Sequence, residues 1–169
     1  MSEAEITINT SEDGRGFRLE TAVWLPQPRE RLFEFFGDAF QLQSITPPWL
    51  HFEVLTPAPI QMAAGTLIDY RLRLRIVPLR WRTLISEWNP PHSFVDEQLK
   101  GPYRWWRHRH EFVPESEGTT MRDIVDYGVP GGRIIHAMLV RNDLAAIFAY
   151  RRQRMIELFG PQNELHTGR

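Results

Sequence analysis

The sequence predicts one α+β domain in which a curved antiparallel sheet of six to seven strands surrounds a long C-terminal helix. Three observations predict it. Between Gly65 and Val129, apolar and polar residues alternate in successive runs separated by turn residues, the period-two pattern of half-buried strands. From about Arg133 to Phe159 the period becomes helical, with Val140, Leu144, Ile147, Phe148, Met155, Leu158 and Phe159 forming a broad apolar stripe. Strands and helices are thus segregated along the chain, and an apolar-faced helix must bury its stripe against the sheet.

The elements follow in order. Residues 1–16, polar and acidic, read as a tail in which Ile6–Ile8 can start a strand. Phe17–Trp24 alternates as a strand and is stopped by Pro26 and Pro28. Arg29–Phe36 carries Leu32, Phe33, Phe35 and Phe36 at helical spacings and ends at Gly37. Phe40–Ile45 reads as a second short helix, closed by Pro47-Pro48. His51–Leu55 is a short strand. Gly65–Ile76 and Leu79–Trp88 form a hairpin about a Val77-Pro78 turn, and Phe94–Lys100, Tyr103–Val113 and Thr119–Val129 complete a meander. Pro130-Gly131-Gly132 separates the sheet from the helix, and Gly160-Pro161 stops it. The domain is expected to span 17–160, with a C-terminal tail at 161–169.

Composition narrows the function. A net charge of −1 argues against a dedicated nucleic-acid binder. Cysteine is absent, which excludes disulfides, thiolate nucleophiles and cysteine-based metal sites. There is neither a basic-then-apolar leader nor an apolar run of membrane-spanning length, so a cytoplasmic protein without stable membrane insertion is expected. Hydrolase and nucleotide-binding signatures are missing. Lys100 is the one lysine; the other basic residues are arginines, and Arg71, Arg73, Arg75, Arg80 and Arg82 form a stripe expected on the solvated face of one hairpin.

Residues two apart on a strand share a face. Trp106, His108, His110 and Phe112 therefore point one way, and the charged set Arg107, Arg109 and Glu111 the other. On the last strand Met121, Asp123, Val125 and Tyr127 share the inward face, and a hairpin about residues 115–118 can set His110 opposite Asp123. Tyr70 falls on the inward face of its strand, as do Trp81, Thr83 and Glu87 on theirs. For Phe94–Lys100 two registers are open, one turning Asp96 and Gln98 inward and the other Val95, Glu97 and Leu99. His-x-His beside a carboxylate can also supply three ligands of an open metal site. The apolar segments Ile45–Leu50 and Val77–Leu79 suit a lid over the chamber mouth or packing over the helix.

The wording of several segments resembles a known superfamily: Thr46-Pro47-Pro48-Trp49-Leu50, Gly65-Thr66 with Tyr70, Trp81-Arg82-Thr83 with Ile85, Trp88-Asn89-Pro90-Pro91, Phe94-Val95-Asp96-Glu97-Gln98, Gly101-Pro102-Tyr103, Trp106 with His108 and His110, and Asp123 with Tyr127 and Pro130. It is the SRPBCC superfamily, which unites START, polyketide cyclase/dehydrase and pollen-allergen domains; the chain resembles an uncharacterised bacterial cyclase/dehydrase-like branch over residues 17–160. The resemblance implies a helix-grip fold and the register that turns Asp96 and Gln98 inward. It implies an internal chamber for an apolar or aromatic small molecule, such as a lipid, a quinone or a polyketide-like ring, with neither metal nor cofactor. The expected binding set is Tyr70, Trp81, Glu87, Asp96, Gln98, Trp106, His108, His110, Met121, Asp123 and Tyr127. The alternative is a cyclase or dehydrase using His110 and Asp123 as an acid–base pair with Tyr70 or Tyr127 as proton donor. A protein-interaction module using the arginine face is a third class, and the oligomeric state is not readable from the sequence.

Overall fold

The computed structural model describes residues 6–161; the tail residues 1–5 and 162–169 lie outside the described part. Eight strands form one antiparallel sheet: β1 Thr7–Thr10, β2 Phe17–Leu25, β3 Glu53–Val54, β4 Leu67–Leu74, β5 Val77–Asn89, β6 Ser93–Lys100, β7 Trp105–Glu115 and β8 Gly118–Gly128. Their order across the sheet is β1-β2-β8-β7-β6-β5-β4-β3. The two strands at the sheet edges are short. β1 arises from the segment read as a tail, and β3 is a two-residue pairing with β4.

Helix α1, Arg29–Gly37, buries Leu32, Phe33 and Phe36. The Asp38 side chain accepts a hydrogen bond from the Phe40 amide and so caps the 3₁₀ turn Ala39–Ile45; a second 3₁₀ turn follows at Pro48–Leu50. At the end of β8 the chain reverses through Gly131 and Gly132, whose φ values of 83° and 64° favour glycine. A continuous helical segment then runs as α2 Gly132–Ile135, a π-helical turn His136–Val140, and α3 Arg141–Phe159. The first turns are held to the sheet through His136, which stacks on Phe17 with 3.4 Å between ring centroids and accepts a hydrogen bond from the Tyr127 hydroxyl at 3.0 Å. Ile134 and Met138 stay exposed.

Leu144, Phe148, Met155 and Phe159 bury one stripe of α3 against the sheet. Leu144 and Phe148 join Phe17, Leu19, Trp106, Val125, Tyr127 and Val129, while Met155 and Phe159 join Val23, Leu25, Phe112, Met121 and the phenylalanines of α1. Side chains of this size contribute roughly 1.5–3 kcal/mol each on burial. Leu158, expected in the stripe, is exposed.

One expectation about the β4–β5 hairpin is corrected. The reversal falls at Arg75-Ile76, with Arg75 at φ 57°, and not at Val77-Pro78. Pro78 lies in β5, where the strand has run past β6 and pairs with β4 alone, so its missing N–H breaks no ladder there. Val77 is exposed, and Val77–Leu79 lie outside the chamber wall.

Candidate functional site

A cavity of about 180 Å³ lies between the sheet, α1, the Ala39–Ile45 turn and α3. Its apolar wall includes Phe36, Leu42, Phe52, Met62, Ile68, Leu72, Trp81, Ile85, Phe94 and Trp106. Its polar lining comes from Tyr70 on β4, Thr83 on β5, Asp96 on β6, His108 and His110 on β7, and Arg151 on α3, with Thr46 near the rim. The inward register of β6 thus holds for Asp96.

The polar wall follows from strand register. Asp96 stands opposite His108 and Asp123 opposite His110, as the hairpin arithmetic predicts for the second pair. The hydrogen bonds run on the diagonals. His108 Nε2 donates to Asp123 Oδ1 at 2.9 Å, and His110 Nε2 donates to Asp96 Oδ2 at 3.0 Å. His110 Nδ1 lies 3.0 Å from Asp123 Oδ1 but is not aligned for a hydrogen bond, and His108 Nδ1 lies 3.6 Å from Asp96 Oδ2. The imidazole centroids are 3.8 Å apart, with Phe94 stacked 4.2 Å from His110.

Arg151 was not among the residues singled out from the sequence, yet it completes this cluster. It occupies the buried stripe of α3 between Phe148 and Met155, with Nε 3.8 Å from Asp123 Oδ2 and its guanidinium carbon 5.1 Å from the Phe36 ring centroid. Its Nε and Nη2 are buried without a hydrogen-bond partner. The sequence signal was the spacing 144, 148, 151, 155, 159, in which an arginine falls at an inward position.

The electrostatics are self-compensating. Burial pushes the Asp123 carboxyl up, but the Arg151 charge and the two imidazoles outweigh it and hold it well below the usual carboxylate range. Burial likewise opposes ionisation of Asp96, and His108 and His110 pull it down. Burial and the neighbouring His110 lower His108, whereas the two carboxylates overcome burial at His110 and raise it. The two carboxylates thus face Arg151 and the two imidazoles, of which His110 is the one biased toward its protonated form. Tyr70 is buried and its hydroxyl is pushed far above the ordinary phenol range, first by burial, with Asp96 adding to the effect. It is a neutral hydrogen-bonding group and a very weak acid.

Of the expected binding set, Tyr70, Trp81, Asp96, Trp106, His108 and His110 line the cavity. Asp123 sits one layer behind, bonded to His108. Four residues lie elsewhere. Glu87 is exposed and pairs with Arg107 and Arg109, because a bulge between Ile85 and Glu87 inserts Ser86 and reverses the alternation. Trp88 turns inward instead and packs on Phe33 and Phe94. Gln98 keeps the inward register opposite Thr83, but its amide bonds the backbone N–H and carbonyl of Tyr103 and so braces the turn into β7. Met121 is packed in the core between α1 and α3, and the Tyr127 hydroxyl is engaged by His136.

No family model matches the chain, and no curated protein matches it. Solved structures do. Protein Ms6760 from Mycobacterium smegmatis is 14% identical, with a TM-score of 0.65 over 91% of this chain and 97% of that one. Ginseng major latex-like protein 151 from Panax ginseng is 10% identical, with a TM-score of 0.63 over 85% and 97%. Ara h 8.0201 is 13% identical, with a TM-score of 0.59 over 83% and 97%. At these identities the likeness shows the fold alone: an α+β helix-grip fold, an antiparallel sheet with a long C-terminal helix. Among the described residues no helix is long and apolar enough to cross a membrane.

Proposed function

We propose that the protein binds a small apolar, ring-sized molecule in the cavity beneath α3, as a cytoplasmic binding protein of the SRPBCC kind. The observation that carries this reading is the cavity itself: space of about 180 Å³ walled by Trp81, Trp106, Tyr70, Phe52, Phe36 and Phe94, with polar groups gathered on one side. An apolar cavity of about 150 Å³ is large enough to take up benzene, so a body of one or two fused rings is the scale that this space suits.

The acid–base alternative draws less support. Both ring nitrogens of His110 already face carboxylates, Nε2 bonded to Asp96 at 3.0 Å and Nδ1 3.0 Å from Asp123, so neither is turned free toward a substrate. Tyr70 is a poor proton donor for the reason given above.

The test uses the two cavity tryptophans as reporters. Titrating 1-naphthol into the protein is expected to quench Trp81 and Trp106 fluorescence saturably. Ala39→Leu, which fills the wall from a fully packed position, is expected to weaken that binding at least tenfold without unfolding the protein. Saturable quenching that is equal in wild type and Ala39→Leu, or no quenching at all, contradicts the proposal.

A further inference from the structure

The polar wall carries an arrangement that small-molecule binding does not use. Asp96 Oδ2 lies 3.0 Å from His110 Nε2 and 3.6 Å from His108 Nδ1, and the three residues' donor atoms fall within 4.8 Å of one another. Ligand atoms held about 2.1 Å from a common ion are separated by roughly 3.0 Å in an octahedral corner and roughly 3.4 Å in a tetrahedral one. Two of the three separations are thus close to the edges of one coordination sphere, and all three donors lie near enough to share an ion. All three residues line the cavity.

The other ring nitrogens show the same organisation from behind. His108 Nε2 and His110 Nδ1 turn away from Asp96, and both approach one oxygen of Asp123, at 2.9 and 3.0 Å. A carboxylate behind a ligating imidazole fixes its tautomer and raises its basicity, the usual outer layer of a histidine metal site. Asp123 meets two imidazoles at once, and Arg151 stands 3.8 Å beyond it to offset its charge. In this structure a hydrogen bond joins Asp96 to His110 directly, at 3.0 Å.

We infer that Asp96, His108 and His110 form a binding site for a divalent transition-metal ion, with Asp123 as the outer carboxylate that orients the His108 imidazole. Two imidazoles and one carboxylate suit zinc, iron, cobalt or nickel over magnesium or calcium. The inference shares the cavity with the proposed function but not its test, since metal is titrated with no organic ligand present.

The experiment strips the full-length protein with a chelator and titrates it with Zn²⁺ by calorimetry and with Co²⁺ by visible absorption. One equivalent per chain is expected, at micromolar affinity or tighter, with ligand-field bands for cobalt. Asp96→Asn and His110→Ala are expected to weaken Zn²⁺ binding at least a hundredfold, and Asp123→Asn roughly 10–100-fold. His51→Gln and His92→Gln, at exposed histidines, leave it unchanged. Should the cluster variants fail to fold, imidazole ¹⁵N spectra of the wild type decide: Zn²⁺ must shift Nδ1 of His108 and Nε2 of His110. The inference is overturned if the wild type binds no Zn²⁺ at about 100 μM, if folded Asp96→Asn and His110→Ala variants bind as tightly as wild type, or if those two nitrogens do not move.

Discussion

Replacing Asp123 with asparagine keeps the shape of the side chain and removes the charge on which the buried cluster is balanced. The amide oxygen of the substituted side chain still accepts from His108 Nε2, but its NH₂ faces Arg151, where Oδ2 had stood 3.8 Å from Nε. At that distance, with an effective dielectric near 20, the lost attraction is about 4 kcal/mol. Removing one partner of a buried pair typically costs about 3–5 kcal/mol, so a net loss of about 3 kcal/mol is expected in the metal-free protein. With a urea slope near 2 kcal/mol/M, the unfolding midpoint falls by about 1.5 M. Arg151→Met removes the other charge, and the double variant is expected to recover about 1–3 kcal/mol relative to the sum of the singles. A cost below about 0.5 kcal/mol for Asp123→Asn, or strict additivity, refutes the claim that Asp123 and Arg151 compensate each other.

Three further outcomes follow from the same geometry. Glu87→Gln, on the outer face, is expected to change stability by less than about 0.5 kcal/mol and leave 1-naphthol binding unchanged, checked by urea melts and fluorescence titration. Leu144→Ala, in the buried stripe of α3, is expected to cost about 2–5 kcal/mol by the same melts. The cluster also shapes the pH dependence of the chelated protein. His110, raised above 6.5, contributes stability that is complete below that value and lost as pH rises through its folded pKa. His108 is lowered, so stability falls as pH drops from 6.5 toward its folded pKa, and Asp96 and Asp123 add a loss below 3.8. The cluster's contribution therefore peaks near pH 6.5, and His110→Gln should erase the alkaline arm in melts run across pH.

The fold was legible because its two periods are cleanly separated along the chain. Alternation in β7 and β8 alone placed Trp106, His108, His110, Asp123 and Tyr127 on one buried face and put His110 across from Asp123. What alternation misses is an inserted residue: one bulge at Ser86 sent Glu87 outward and Trp88 inward. Facing inward is also not the same as lining a cavity. Met121 and Tyr127 point inward but lie where α3 and the π-helical turn already fill the space, and Gln98 is drawn to the Tyr103 backbone. Arg151 was legible in principle, since its spacing puts it on the buried stripe. An arginine is ordinarily read as solvated, and only the carboxylate behind the two imidazoles explains its burial. The Asp96 bond to His110 is a diagonal across two strands, which strand-opposite reasoning does not reach.

The most direct test of the central claim is where a small ring actually binds. Methyl-labelled protein saturated with 1-naphthol is expected to give intermolecular NOEs from the ring to Met62, Ile68, Leu72 and Ile85, all on the cavity wall. Contacts confined to the exposed Ile76, Val77, Ile134 and Met138, with none to the wall, would contradict an internal binding site.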